Sequence, residues 1–323
     1  MSPTPSPVPS PVPSPVPSPA PSPAPSPAPG TASTDARIHD IGYRRYDGER
    51  LGALYARRSL LAHSLRGAFG LGRSARAKVL PFGLFAIMCM PAVVMVAVAV
   101  TTGLDELPIE YTAYTMFMQP IIGLYIALAA PQMVSLDLRF KTIPLYFSRP
   151  IDRSDYVSAK AAALACALFI FSAIPLVIAY AGGLLAELGF TGQTTAFLRG
   201  LVTTAVYCVV HAAIALLVAS LTPRRGFGVA AIIAVLTIPY FAATAIMAVA
   251  DEQGSTDAVG WLALFSPGTL VEGIEARFLG GEVEFPGEVM PSAAAGAAYL
   301  VAAAALTALC YVLLTRRYRK AGL

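Results

Sequence analysis

Six stretches of this chain, 79–102, 113–136, 161–186, 200–221, 228–250 and 292–315, contain no Asp, Glu, Lys or Arg. About 20 apolar residues in a helix cross the ~30 Å hydrocarbon core of a bilayer. In that medium the backbone must satisfy its own hydrogen bonds, which leaves helices and closed barrels as spanning structures. Runs of this length without period-2 alternation point to helices. The chain therefore reads as an all-α integral membrane protein of six transmembrane helices. Its composition agrees, with 13% charged residues against about 25% in ordinary soluble domains. Pro91, Pro120, Pro131, Pro175 and Pro239 lie inside these runs, and kinks are expected there.

The connecting segments are sharply sided. The region before the first run, the loops 137–160 and 223–227 and the tail 316–323 hold 21 of the 23 Lys and Arg residues. The alternate loops, 103–112, 187–199 and 251–291, hold only Arg199 and Arg277 but 12 of the 19 acidic residues. The positive-inside rule places the basic set, and with it both termini, in the cytosol. An even number of spans returns the chain to its starting side, in agreement.

Residues 1–36 form a separate segment. Proline occupies every odd position from Pro3 to Pro29 in PSPV and PSPA repeats. Loss of that many N–H donors precludes helix and strand, so a polyproline II or disordered tail is expected. A spacer and a ligand for a proline-binding partner both fit. Residues 37–78 form a basic segment, in which Leu51, Leu54, Tyr55, Leu61, Ala62, Leu65 and Phe69 recur at helical spacing. Such a helix suits the cytosolic interface as an amphipathic elbow, with its arginines near anionic headgroups; packing against a soluble partner is the alternative. In the loop 251–291, Trp261 and its apolar neighbours suit headgroup depth, and Leu270–Leu279 suits a short helix after Pro267.

Catalytic patterns are absent. The chain has no GxxxxGK[ST] phosphate loop, no HExxH and no GxSxG, so no catalytic, cofactor-binding or metal-binding residue is assigned. Cys89, Cys166, Cys208 and Cys310 all lie in apolar runs without metal-ligand or redox spacing. His211 lies mid-span, one turn after Tyr207. An ionisable residue at that depth is a functional candidate, while a structural hydrogen bond is the plainer reading. The runs carry no acidic residue, unlike ion-coupled carriers, which use intramembrane carboxylates.

The stretch LYFSRPIDRSDYVSAK at 145–160 is the most informative. Pro144 and Pro150 stop helix continuation. Asp152 or Ser154 suits the N-cap of the next helix, with Asp155 favourably placed against its dipole. The loop is then a shaped elbow displaying Tyr146, Phe147 and Arg149, residue types enriched in docking surfaces. A positively charged topology anchor explains the arginines without requiring the two prolines.

YFSRPIDRSDYVSAKAAAL resembles the YxxSRPIxRxxYxxxK-type loop of type-2 ATP-binding-cassette (ABC) exporter permeases. DIGYRRYDGERLG resembles the N-terminal region of such permeases from actinobacteria. The resemblance implies a permease subunit of the bacterial plasma membrane, multi-pass, driven by a separate ABC ATPase subunit that carries the ATP and Mg. It implies a second permease chain, identical or different, surrounding membrane lipid and no nucleic acid. The elbow helix would match Arg50–Phe69. The ATPase-docking coupling loop would comprise Tyr146, Phe147, Arg149, Pro150, Asp152, Arg153 and Asp155, and small re-entrant helices would match Trp261–Leu279. Two other classes fit parts of the sequence: a membrane scaffold recruiting cytosolic partners through its Pro-rich, basic head, and a self-powered secondary carrier.

Overall fold

A computed structural model describes residues 47–48, 51–104, 106–140, 142–147, 151–222 and 224–321. The chain divides into residues 1–49 and 50–323. Of the first unit only Asp47 and Gly48 are described, so the repeat tail lies outside the described residues.

The second unit is helical, with no strand among the described residues. It comprises α1 (Ala53–Ala68), α2 (Ala75–Thr102), α3 (Tyr111–Phe117), α4 (Gln119–Met133), α5 (Ser135–Arg139), α6 (Ile143–Phe147), α7 (Arg153–Leu185), α8 (Phe190–Leu221), α9 (Arg225–Glu252), α10 (Thr256–Leu262), α11 (Pro267–Ile274) and α12 (Ala293–Ala321). Among the described residues, six helical stretches are long and apolar enough to span a membrane, at the positions of the six uncharged runs.

The second span is not one continuous helix. The chain leaves helical geometry at Met118 (φ −89°, ψ 6°) and again at Val134 (φ −123°, ψ −49°). Pro120 stands just after the first break, where its missing N–H and its crowding of the preceding turn favour one; Pro131 lies inside the helix, three residues before the second. The helices run on through Pro91, Pro175 and Pro239.

α7 and α8 form the centre. They pack on each other; α1 and α2 pack on α7, and α3, α4, α9 and α12 on α8. The contact of α3 with α8 is closest at Gly200, where a Cβ would lie 2.7 Å from the carbonyl oxygen of Tyr111. Only glycine allows that approach. The first, fifth and sixth spans are peripheral, with 28%, 22% and 22% of their most apolar windows buried, against 50–56% for the other three. Their outward faces carry Val79, Met90, Ile238, Phe241 and Val301, all well exposed. In water that surface would cost about 25 cal/mol per Å²; in acyl chain it costs nothing.

α1 does not stand alone. It packs along α7 and against α4, burying Leu60, Ser64 and Ala68. Leu51, Leu54 and Tyr55, from the helical pattern of the sequence, are exposed. Leu61, Leu65 and Phe69 of the same pattern pack against the core, so the buried stripe overlaps the pattern over its second half and adds Leu60, Ser64 and Ala68 where α7 comes close.

Candidate functional site

α7 has 33 residues and so extends about 50 Å, well beyond the ~30 Å hydrocarbon core. Its first turns therefore project at the basic end. There Asp152 is the N-cap and forms a capping box with Asp155; its backbone N–H donates to Asp155 Oδ2 at 3.3 Å. Arg57 of α1 reaches the same Asp155 oxygen at 2.9 Å.

One turn further along, Asp137 from the end of the second span meets α7. The Tyr156 hydroxyl donates to Asp137 Oδ2 at 2.5 Å, and Lys160 Nζ lies 3.0 Å from the same oxygen. The Asp137 carbonyl accepts from the Thr142 amide at 3.1 Å, which ties down the start of the connecting loop. The Tyr156 ring is the hub. Tyr146 lies 5.4 Å from it, Phe147 6.1 Å and Tyr318 of α12 5.0 Å between centroids. Lys160 Nζ sits 5.3 Å from the Tyr156 centroid and 6.0 Å from that of Tyr146. Arg153 stands over the Phe147 ring at 5.7 Å. At the same end Tyr311 of α12 donates to the Ser154 carbonyl at 3.4 Å, and Ser135 donates to the Ala219 carbonyl of α8 at 2.7 Å.

The short helix α6 therefore rests on the start of the third span through Tyr146 and Phe147, and that start is itself tied to the second span at Asp137 and to the sixth at Tyr318. Tyr146 and Phe147, expected as displayed residues, are half-buried and turned toward Tyr156. The outward surface is formed by Arg139, Phe140, Pro144 and Leu145, with Phe140 and Leu145 66% and 70% exposed. Asp152 is exposed, Arg153 is half-buried and Asp155 is buried. Arg149 and Pro150 lie outside the described residues. The residues assigned from the sequence omit Tyr156, Lys160 and Tyr318, although the first two are the Y and K that end the loop motif. Lys160 stands one helical turn after Tyr156, a spacing that puts both on one face, but nothing local signals that Asp137 and Tyr318 face them.

The intramembrane pair is well defined. His211 Nδ1 lies 2.9 Å from the Tyr207 carbonyl oxygen, and the two rings stack with centroids 3.7 Å apart. Both side chains are buried. The Tyr207 hydroxyl has no hydrogen-bond partner.

At the acidic end, α11 starts at Pro267, with the Ser266 hydroxyl accepting from the Gly268 amide at 3.2 Å. It continues into a π-helical turn, Glu275–Leu279. Glu272 accepts from the Tyr240 hydroxyl at 2.9 Å. Glu275 is 3% exposed and neither of its carboxylate oxygens has a hydrogen-bond partner; the adjacent Thr112 hydroxyl donates to Glu110 instead, at 3.2 Å. Burial, reinforced by neighbouring carboxylates, pushes Glu272 up to about 7 and Glu275 up to about 8. Among the described residues no group of three or more His, Cys, Asp or Glu side chains is placed to hold a metal ion.

Six helices long and apolar enough to span a bilayer, three of them joined at one end through Asp137, Tyr156 and Tyr318, define a multi-pass membrane protein. Residues 38–319 match the family model described as ABC-2 family transporter protein, and the chain belongs to that family, whose members are membrane components of ABC transporters. No curated protein matches it.

Proposed function

We propose that this chain is the permease subunit of an ATP-driven exporter in the bacterial plasma membrane, with both termini cytosolic, and that it works with a second permease chain. The segment 137–160 receives the motion of a separate ABC ATPase subunit. The observation that carries this reading is the seating of α6 on Tyr156 of α7, which joins the second, third and sixth spans through Asp137, Lys160 and Tyr318. A loop tethered by one strand of chain would absorb a push. A loop packed on a buried ion pair and an aromatic hub transmits it, because packed elements move as bodies. The ATPase surface is then Phe140, Pro144 and Leu145 with the flanking arginines, while Tyr146 and Phe147 transmit from behind.

The second span, broken at Met118 and Val134, supplies a place for the bundle to change shape between inward-open and outward-open states. ATP and Mg belong to the partner ATPase. Reconstitution with that subunit tests the proposal. ATP-dependent export is expected from the pair, with Leu145→Asp abolishing it while the chain still inserts normally. Transport by this chain alone, driven by an ion gradient, would overturn it.

A further inference from the structure

A second site lies beside the elbow helix. A cavity of about 310 Å³ opens where the end of α1 and the start of α2 meet α4. Its mouth carries Arg73 and Arg76, and its inner wall is formed by Leu80, Leu84, Leu128 and Tyr125. Arg73 is oriented by its hydrogen bond to Gln132 Oε1 at 2.7 Å. The loop between the helices is held against α2 at Gly70, in the left-handed region (φ 68°), where a Cβ would lie 2.6 Å from the Ala77 carbonyl oxygen. α2 starts at Ala75, between the two arginines, with no side-chain cap and no acidic residue in its first turn, so its first amides and its dipole favour an anion. No carboxylate lines the cavity. Tyr125 lines it while 1% exposed, and its hydroxyl has no hydrogen-bond partner.

The polarity is graded along the membrane normal. The uncharged run begins at Val79, so Arg73 and Arg76 stand at the polar boundary and Leu84 lies about 12 Å deeper along α2. A cationic mouth over an apolar slot at that depth matches an amphiphile with a phosphate head and a hydrocarbon tail. We propose that this cleft is a binding site for an anionic phospholipid of the surrounding leaflet, its phosphate at Arg73 and Arg76 and one acyl chain along Leu80, Leu84 and Leu128. The bound lipid would wedge α1 against α2 and α4. The inference requires only the membrane spans and is independent of the ATPase.

Native mass spectrometry of the full chain in detergent tests it, with phosphatidylglycerol, phosphatidylcholine and inorganic phosphate titrated separately. Phosphatidylglycerol should bind most tightly. Each arginine near an anionic headgroup is worth roughly fivefold, so Arg73→Gln with Arg76→Gln should weaken it by roughly 30-fold and weaken phosphatidylcholine less, because its choline cation offsets the phosphate. Arg58→Gln, outside the cleft, should have no effect. Equal binding of the two lipids, or an equal loss in Arg58→Gln, would make the affinity a diffuse surface charge and overturn the proposal. Inorganic phosphate binding as tightly as the lipid would overturn the acyl-chain half.

Discussion

Lys160 and Asp137 offer the sharpest test of how the loop is held. Their side chains are 6% and 16% exposed, and removing one member of a buried pair costs about 3–5 kcal/mol because the other charge is left uncompensated. The two single variants should differ. In Lys160→Met the orphaned carboxylate is the more exposed partner and keeps the Tyr156 hydroxyl, a bond to a charged acceptor worth about 1.5–3 kcal/mol. Its loss should fall near 3 kcal/mol. In Asp137→Asn the ammonium is left nearly buried, facing a neutral amide and the Tyr156 and Tyr146 rings, and the loss should approach 5 kcal/mol. Combining the two changes removes both charges and should restore part of what Asp137→Asn loses. Thermal unfolding of the purified chain in detergent at fixed pH reads the order: wild type, then Lys160→Met and the double variant, then Asp137→Asn. A double variant as unstable as the sum of the singles would mean that the charges do not interact, and the mechanical role argued for them would go with it.

Tyr156→Phe should lower stability by about 1.5–3 kcal/mol by removing the hydrogen bond to Asp137, and should reduce ATP-dependent transport more than it reduces ATP hydrolysis. Unchanged coupling in a properly inserted Tyr156→Phe protein would count against the hub. Glu272 and Glu275 have folded values raised above the ordinary 4.5, to about 7 and about 8. Their folded state therefore holds more protons than the unfolded one, and stability should fall as pH rises from about 4.5 to about 8, by on the order of a few kcal/mol. Glu275→Gln should flatten the upper part of that decline in detergent unfolding curves; an unaltered pH profile would contradict the buried, unpaired carboxyl. Gly200→Ala should cost about 1–3 kcal/mol, since the added Cβ meets the Tyr111 backbone rather than a movable side-chain tip; a normal unfolding midpoint would refute the close α3–α8 contact. Membrane-impermeant thiol labelling of intact cells should modify a cysteine placed at Ser255 and spare one placed at Ser154. The reverse pattern would invert the proposed topology.

The spans were legible because hydrocarbon imposes a length and excludes charge, so six uncharged runs sufficed to locate six helices. The breaks at Met118 and Val134 were only partly legible: prolines mark where a helix can fail, but Pro91, Pro175 and Pro239 look alike in sequence and sit within continuous helices. α1 was found as a helix, and its buried face in part: Leu61, Leu65 and Phe69 pack against the core, whereas Leu51, Leu54 and Tyr55 do not. Leu60, Ser64 and Ala68 were chosen by the proximity of α7, which periodicity does not encode. The loop shows the same limit. Its prolines and the Asp152 cap are local signals and were read as such. The inward turn of Tyr146 and Phe147 depends on Tyr156, and the hub depends on Asp137 and on Tyr318 from the last helix, contacts made only when the bundle assembles. Likewise Glu272 and Glu275 fall in the short helix expected after Pro267, but nothing in the sequence signals that both carboxyls are carried into the interior.

Photo-crosslinking from position 145 in native membranes tests the central claim most directly. Leu145 lies on the outward surface of α6 at 70% exposed, and Leu185, at the far end of α7 and 86% exposed, serves as the control position. The account predicts an adduct from position 145 with a protein bearing a nucleotide-binding phosphate loop, dependent on intact membranes and absent from position 185. Adducts from position 145 with lipid alone, or the same protein captured equally from position 185, would contradict it.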